Sequence, residues 1–244
     1  MPVPVTPVPW VGSLLWLIGV AAASFAVSEV VATKYRLARE PYIGVLTLVT
    51  AALTVGYVVW AGLDPVQLLT THWAWGIAGA MLVPLVLSVL ISHRPVERRF
   101  TGSSPAVAVL WESVVYGVAE GVLLSTLPVL ITWQMIHGLG WSGAAGTVAL
   151  WTLPFVASVA VIIVHHLGYW EYRNRELRSI SLGCGLLSVG YLLTGSPIAP
   201  ALGHILLHGA LLRHGEELPP HPRPQVGQAG AKQERVPALS RTTR

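Results

Sequence analysis

The chain is 244 residues long, 53% hydrophobic and 11% charged, with a mean hydropathy of +0.63. Soluble domains are about a quarter charged, so this balance excludes a soluble catalytic domain and places the chain among membrane proteins. A single cysteine, Cys184, inside an apolar run, excludes a disulfide framework and a cysteine-based zinc cluster. The net charge of +4 does not imply a nucleic-acid partner once the positions of its cations are read.

Residues 1–9, within "MPVPVTPVPW", form an extended N-terminal lead, because alternating prolines favour a polyproline-like strand. No basic residue precedes the first apolar run and no small-residue cleavage site follows, so no removable secretory signal is expected. A hydrocarbon core about 30 Å thick needs about 20 apolar helical residues. Seven spans are expected, at roughly 10–32, 42–62, 74–92, 105–135, 143–168, 179–195 and 197–213, the last two short. The fourth is too long for one straight crossing and is expected to kink near Pro128, or to end early and re-enter. The last two are joined by "TGSP", a tight turn. The expected architecture is an all-α polytopic transmembrane bundle over residues 10–213. Residues 214–244, rich in Pro, Gln, Gly and charge with no apolar period, read as a disordered cytoplasmic tail.

The cations test this map. Lys34, Arg36 and Arg39 lie between spans one and two, Arg94, Arg98 and Arg99 between three and four, and Arg173, Arg175 and Arg178 between five and six. Arg213, Arg223, Lys232, Arg235, Arg241 and Arg244 end span seven or follow it. All fifteen thus fall on one side of a seven-span chain. The positive-inside rule puts that side in the cytoplasm, with the N-terminus outside.

Ionisable groups at the bilayer centre cost at least ~2.5–3.5 kcal/mol and mark function more often than they do in soluble cores. Glu112 and Glu120 lie in span four, His165 and His166 in span five, and His204 and His208 in span seven. At 1.5 Å per residue, Glu112 lies about 10 Å in from its cytoplasmic end, His208 about 8 Å, His204 about 14 Å and Glu120 about 22 Å. His165 and His166 lie within about 5 Å of theirs. Most of these groups share the cytoplasmic half of the bilayer. His204 and His208, at i and i+4, project from one helix face, where two imidazoles can reach one ion or one polarised water. Glu112 and Glu120 are about 80° apart around a straight helix and need not share a site. Glu29, near the end of span one, reads as a snorkelling residue, and Trp10, Trp73, Trp75 and Trp141 as an interfacial belt.

"GLLSVGYLLTGSPIAPALGHILLHGALL" resembles the closing segment of the CAAX-protease and bacteriocin-processing (CPBP) family of intramembrane proteases. Gly183, Gly185, Gly190, Thr194, Gly195, Ser196, Ala199, Pro200 and His204 fit that segment. "VIIVHHLGYW" resembles the family's FxxxH helix, with His165 or His166 as its histidine and Val161 or Ile162 in place of Phe. "WESVVYG" resembles the EExxFRG motif, with Glu112 as the second Glu, Trp111 in place of the first and Tyr116 in place of Arg. A second register starts at Glu120 in "EGVLLS" and puts Ser125 where the Arg would stand. The family's final Asn is His208 here. The resemblance covers residues 105–213.

The resemblance implies peptide-bond cleavage within the membrane, at the cytoplasmic leaflet of a bacterial plasma membrane. Glu112 or Glu120, with His165 or His166, would activate a water, and His204 and His208 would support the oxyanion. A divalent metal such as zinc, held by His204, His208, His166 and Glu112, is a further implied option. The partners would be membrane lipid and a peptide or membrane-protein substrate. An inactive member serving as a scaffold or peptide-binding protein is the alternative, because the first Glu and the Arg are replaced. A haem or metal-binding membrane protein fits the histidine pairs, but the chain has no CxxCH motif and fewer histidine boxes than a hydroxylase needs. A transporter would need midplane polar groups on broken helices, which only Glu120 and Pro128 suggest.

Overall fold

The computed structural model describes residues 8–92 and 105–213; Arg94, Arg98, Arg99 and the tail from residue 214 lie outside the described residues. The chain is an all-α bundle, with no strand among the described residues. Helix α1 (Trp10–Ala26) continues as a π-helix over Val27–Lys34. Then come α2 (Arg39–Trp60), α3 (Pro65–Thr70) and α4 (Trp73–Ser92). The next helix is composite: α5 (Pro105–Ala108), a π segment over Val109–Val115, α6 (Tyr116–Glu120), a second π segment over Gly121–Thr126, and α7 (Leu127–Gly138). The last three are α8 (Gly143–Leu167), α9 (Glu176–Thr194) and α10 (Ile198–Arg213).

Five of these stretches are long and apolar enough to cross a membrane: Trp10–Lys34, Arg39–Trp60, Val109–Gly138, Gly143–Leu167 and Glu176–Thr194. Trp73–Val86 and Ile198–Arg213 are shorter apolar helices. Such helices make this an integral membrane protein. The short α3 was not expected from the apolar runs. Asp64 caps it by accepting from the Val66 and Gln67 amides at 2.8 and 3.2 Å, with Pro65 in the first turn, where its missing N–H costs nothing. Between α9 and α10, Gly195 closes the "TGSP" turn at φ 66°, a left-handed conformation that glycine adopts without steric cost.

The composite helix is the centre of the bundle: 78% of its apolar window is buried, against 22% for α1 and α2. The helix does not end at Pro128; it runs on from Val109 to Gly138. Proline frees the carbonyl one turn earlier. Here Ser158 Oγ, from α8, donates to that carbonyl, Leu124 O, at 2.7 Å. The i→i+5 turns just before Pro128 take up the remaining mismatch. Ser158 also meets Ser188 Oγ at 2.7 Å, and Ser188 donates to Ser125 Oγ at 2.8 Å, so three spans share one hydroxyl chain.

Small residues let α10 lie against the composite helix. A Cβ on Gly117 would stand 2.8 Å from Ile205 N, and one on Gly121 would stand 2.7 Å from Pro200 O. This Gly-xxx-Gly contact brings the two backbones together. Ser113 Oγ reinforces it by donating to Ile205 O at 2.8 Å.

Charge is segregated along the bundle. At one end Arg39 Nη1 is 3.5 Å from Glu112 Oε1, Trp111 Nε1 donates to Glu40 O at 3.0 Å, and Thr33 Oγ1 donates to Gly168 O at 2.7 Å. Arg173 pairs there with Glu29, so Glu29 is held by an ion pair rather than snorkelling alone. All the described Lys and Arg belong to this end: Lys34, Arg36, Arg39, Arg173, Arg175, Arg178 and Arg213. The opposite end carries Asp64, and the side chains of Trp10, Trp73, Trp75 and Trp141 are exposed.

Candidate active site

Glu120 closes α6 where the second π segment begins. Its carboxylate meets imidazoles from two other helices. His208 Nε2, on α10, is 3.0 Å from Oε2, and His165 Nε2, at the end of α8, is 3.6 Å from Oε1. Tyr116, one turn earlier on α6, donates its hydroxyl to Oε1 at 2.6 Å and stacks on the His208 ring, with centroids 4.9 Å apart. Glu120 and His208 are 3% exposed and His165 and His204 are 0% exposed, so the cluster is shielded from solvent.

The ring nitrogens have assigned roles because a carbonyl can only accept. His165 Nδ1 donates to Ser24 O on α1 at 3.1 Å, which leaves Nε2 facing Glu120. Ser28 Oγ donates to His165 O at 2.7 Å, so α1 holds both the ring and the backbone of this residue. His166 Nδ1 donates to Ile162 O at 2.8 Å and His204 Nδ1 to Pro200 O at 2.9 Å. His208 presents Nε2–H to the carboxylate. His204 Nε2 and His208 Nδ1 are left without a hydrogen-bond partner in the protein. Their rings are 6.0 Å apart and perpendicular, at 89°. A neutral imidazole in this state offers a lone pair, a position for a water hydrogen.

Of the residues expected from sequence, Glu120, His165, His204 and His208 therefore gather, while Glu112 does not join them. Glu112 sits in the first π segment, facing Arg39. His166 lies behind His165, with its ring 5.3 Å from that of Tyr172. Tyr42 on α2 and Tyr169 just beyond α8 were not expected at the site, and Tyr116 was expected there only in the place of an arginine. A signal for two of them existed, because Tyr116 precedes Glu120 by four residues and Tyr169 follows His165 by four, which puts each pair on one face. Burial pushes the Tyr169 phenol well above its ordinary value, with Tyr42 and Glu120 acting in the same direction, so it remains a neutral O–H donor.

The residues expected to hold a metal do not assemble as a ligand set. Glu112 faces a guanidinium, and His166 is turned to Tyr172 and committed at Nδ1. Among the described residues no three His, Cys, Asp or Glu side chains are grouped to hold an ion. Glu120, Tyr116, His165 and His208 instead form a cluster of acid–base groups around one carboxylate. No protein-family profile, curated protein or solved structure matches this chain.

Proposed function

We propose that the chain is an intramembrane endopeptidase of the CPBP type, cleaving a peptide bond near the cytoplasmic leaflet with water activated by Glu120. The observation that carries this reading is the meeting of one carboxylate with imidazoles from α8 and α10, 3.6 and 3.0 Å away. In this reading Glu120 takes a proton from water, His165 shares it, and His204 Nε2 helps hold the water. His208 Nε2–H holds and orients the Glu120 carboxylate, 3.0 Å away. Acid–base groups of this kind supply roughly 10²–10⁴-fold each. In this reading the motif register is the one that starts at Glu120 rather than the one that starts at Trp111. We further propose seven crossings with the N-terminus outside, supported by the basic residues gathered at one end of the bundle. A cysteine placed beside Asp64 in a Cys184→Ala background would then react with an impermeant maleimide from outside the cell. Protection from outside, with labelling only after lysis, would reverse the orientation.

A second reading, a non-catalytic peptide-binding scaffold, is favoured by the burial of the whole cluster, which no substrate reaches without helix displacement. One experiment separates the two. Wild-type protein and Glu120→Gln are expressed in a bacterial host, and new peptide termini in the membrane fraction are quantified by mass spectrometry. The protease reading predicts termini that appear with wild type and vanish with Glu120→Gln. Identical termini in both leave the scaffold.

A further inference from the structure

Three phenols from three separate elements meet beside Glu120, and the proposed reaction has so far used none of them beyond a hydrogen bond. Tyr42, Tyr116 and Tyr169 are all buried. Tyr116 Oη donates to Glu120 Oε1 at 2.6 Å. Tyr169 Oη lies 3.4 Å from Tyr116 Oη and 3.4 Å from His165 Nε2, and is hydrogen-bonded to Tyr42 Oη. Each phenol owns one hydrogen. That of Tyr116 is committed to the carboxylate, so its oxygen is an acceptor. With the Tyr42 hydroxyl donating to Tyr169, the Tyr169 hydrogen is free to choose between Tyr116 Oη and His165 Nε2. Tyr169 is thus a branch point between the carboxylate and the imidazole. The direct separation from Glu120 Oε1 to His165 Nε2 is 3.6 Å, slightly longer than either 3.4 Å contact of Tyr169.

We propose that Tyr116 and Tyr169 relay a proton between Glu120 and His165, with Tyr42 orienting the branch. The inference rests on the acid–base reading of Glu120 and His165. Once Glu120 is protonated its hydrogen points at Tyr116 Oη, and the Tyr116 hydroxyl turns from the carboxyl toward Tyr169. Glu120 then gives its proton to Tyr116 Oη, Tyr116 gives its own hydrogen to Tyr169 Oη, and Tyr169 gives its own to His165 Nε2. Both phenols end neutral, each with one hydrogen; Glu120 becomes a carboxylate and His165 an imidazolium. Resting contacts of 3.4 Å are long for such steps, so the relay requires both to shorten toward about 2.6–3.2 Å in the working complex. Tyr42 is a positioning residue, since it touches neither end of the relay.

The test uses the full-length protein in lipid bilayers, labelled with ¹³C at the glutamate carboxyls and ¹⁵N in the histidine rings. Spectra of Tyr42→Phe and Tyr169→Phe are compared with wild type and with Tyr57→Phe, a control that removes a buried hydroxyl lower on the same helix α2. The relay predicts that Tyr42→Phe, although two hydroxyls from the carboxylate, shifts the resonances of both Glu120 and His165, and that Tyr57→Phe shifts neither. Resonances of Glu120 and His165 that ignore Tyr42→Phe overturn it. In a cleavage assay Tyr169→Phe is expected to slow turnover by ~10²-fold and to remove the solvent isotope signature of more than one proton in flight. An unchanged isotope signature at slowed turnover would assign Tyr169 to packing alone. The spectra report the relay whether or not cleavage is found, so failure of the protease reading and failure of the relay are distinguishable.

Discussion

Two turns of one helix carry a glutamate apiece, and they differ in what surrounds each acid. Glu112 and Glu120 are both buried, at 4% and 3% exposure, and each touches a π segment. Glu112 faces Arg39 at the charged end of the bundle. Arginine keeps its proton at any pH the protein meets, so this pair is an electrostatic anchor between α2 and the composite helix. Glu120 faces imidazoles and phenols, whose protons can move. Burial alone therefore does not separate the two acids; the mobility of their partners' protons does.

Substitutions sharpen this contrast in order of size. Glu120→Gln is expected to lower cleavage by ~10²–10⁴-fold, while Glu112→Gln changes it less than about tenfold, measured by the yield of new membrane-peptide termini. Equal losses at both positions would erase the distinction. Arg39→Ala is expected to destabilise the fold by up to about 3–5 kcal/mol, because it removes a cation 3.5 Å from the buried Glu112 carboxylate. Thermal unfolding in detergent would show the loss, and Arg39→Ala combined with Glu112→Gln should recover much of it.

Gly117→Val acts on the other side of the comparison. Its side chain would meet the Ile205 amide, separate α6 from α10 and cost about 1–3 kcal/mol. Cleavage should fall with it, since His208 then withdraws from Glu120; activity unchanged by Gly117→Val would show that the helix contact does not position the site. Ser158→Ala should cost least, about 0.6–1.7 kcal/mol, by leaving Leu124 O unmatched beneath Pro128. An unfolding temperature equal to wild type would mean that the π turns alone accommodate the proline.

Apolar run length and the placement of cations made the helices and the charged end legible from sequence, and "TGSP" marked its turn. Which glutamate meets the histidines was not legible. Angular arithmetic assumes about 3.6 residues per turn, and the π segments on both sides of α6 break that assumption without leaving a pattern of apolar residues. The packing role of Gly117 and Gly121 was not legible, because it lies in the backbone of α10. Tyr116 was matched to a lost arginine, though it supplies the carboxylate with a donor. Ser24 and Ser28 belong to a helix outside the family-like segment, so nothing in residues 105–213 pointed to the carbonyl that orients His165.

The most direct test of the account is the distance between the Glu120 carboxyl carbon and the His208 Nε2 nitrogen. Solid-state NMR dipolar recoupling can measure it on labelled full-length protein in bilayers. The account predicts a strong carbon–nitrogen coupling for Glu120 and none for Glu112. Coupling of His208 to Glu112 instead, or to neither acid, would contradict it.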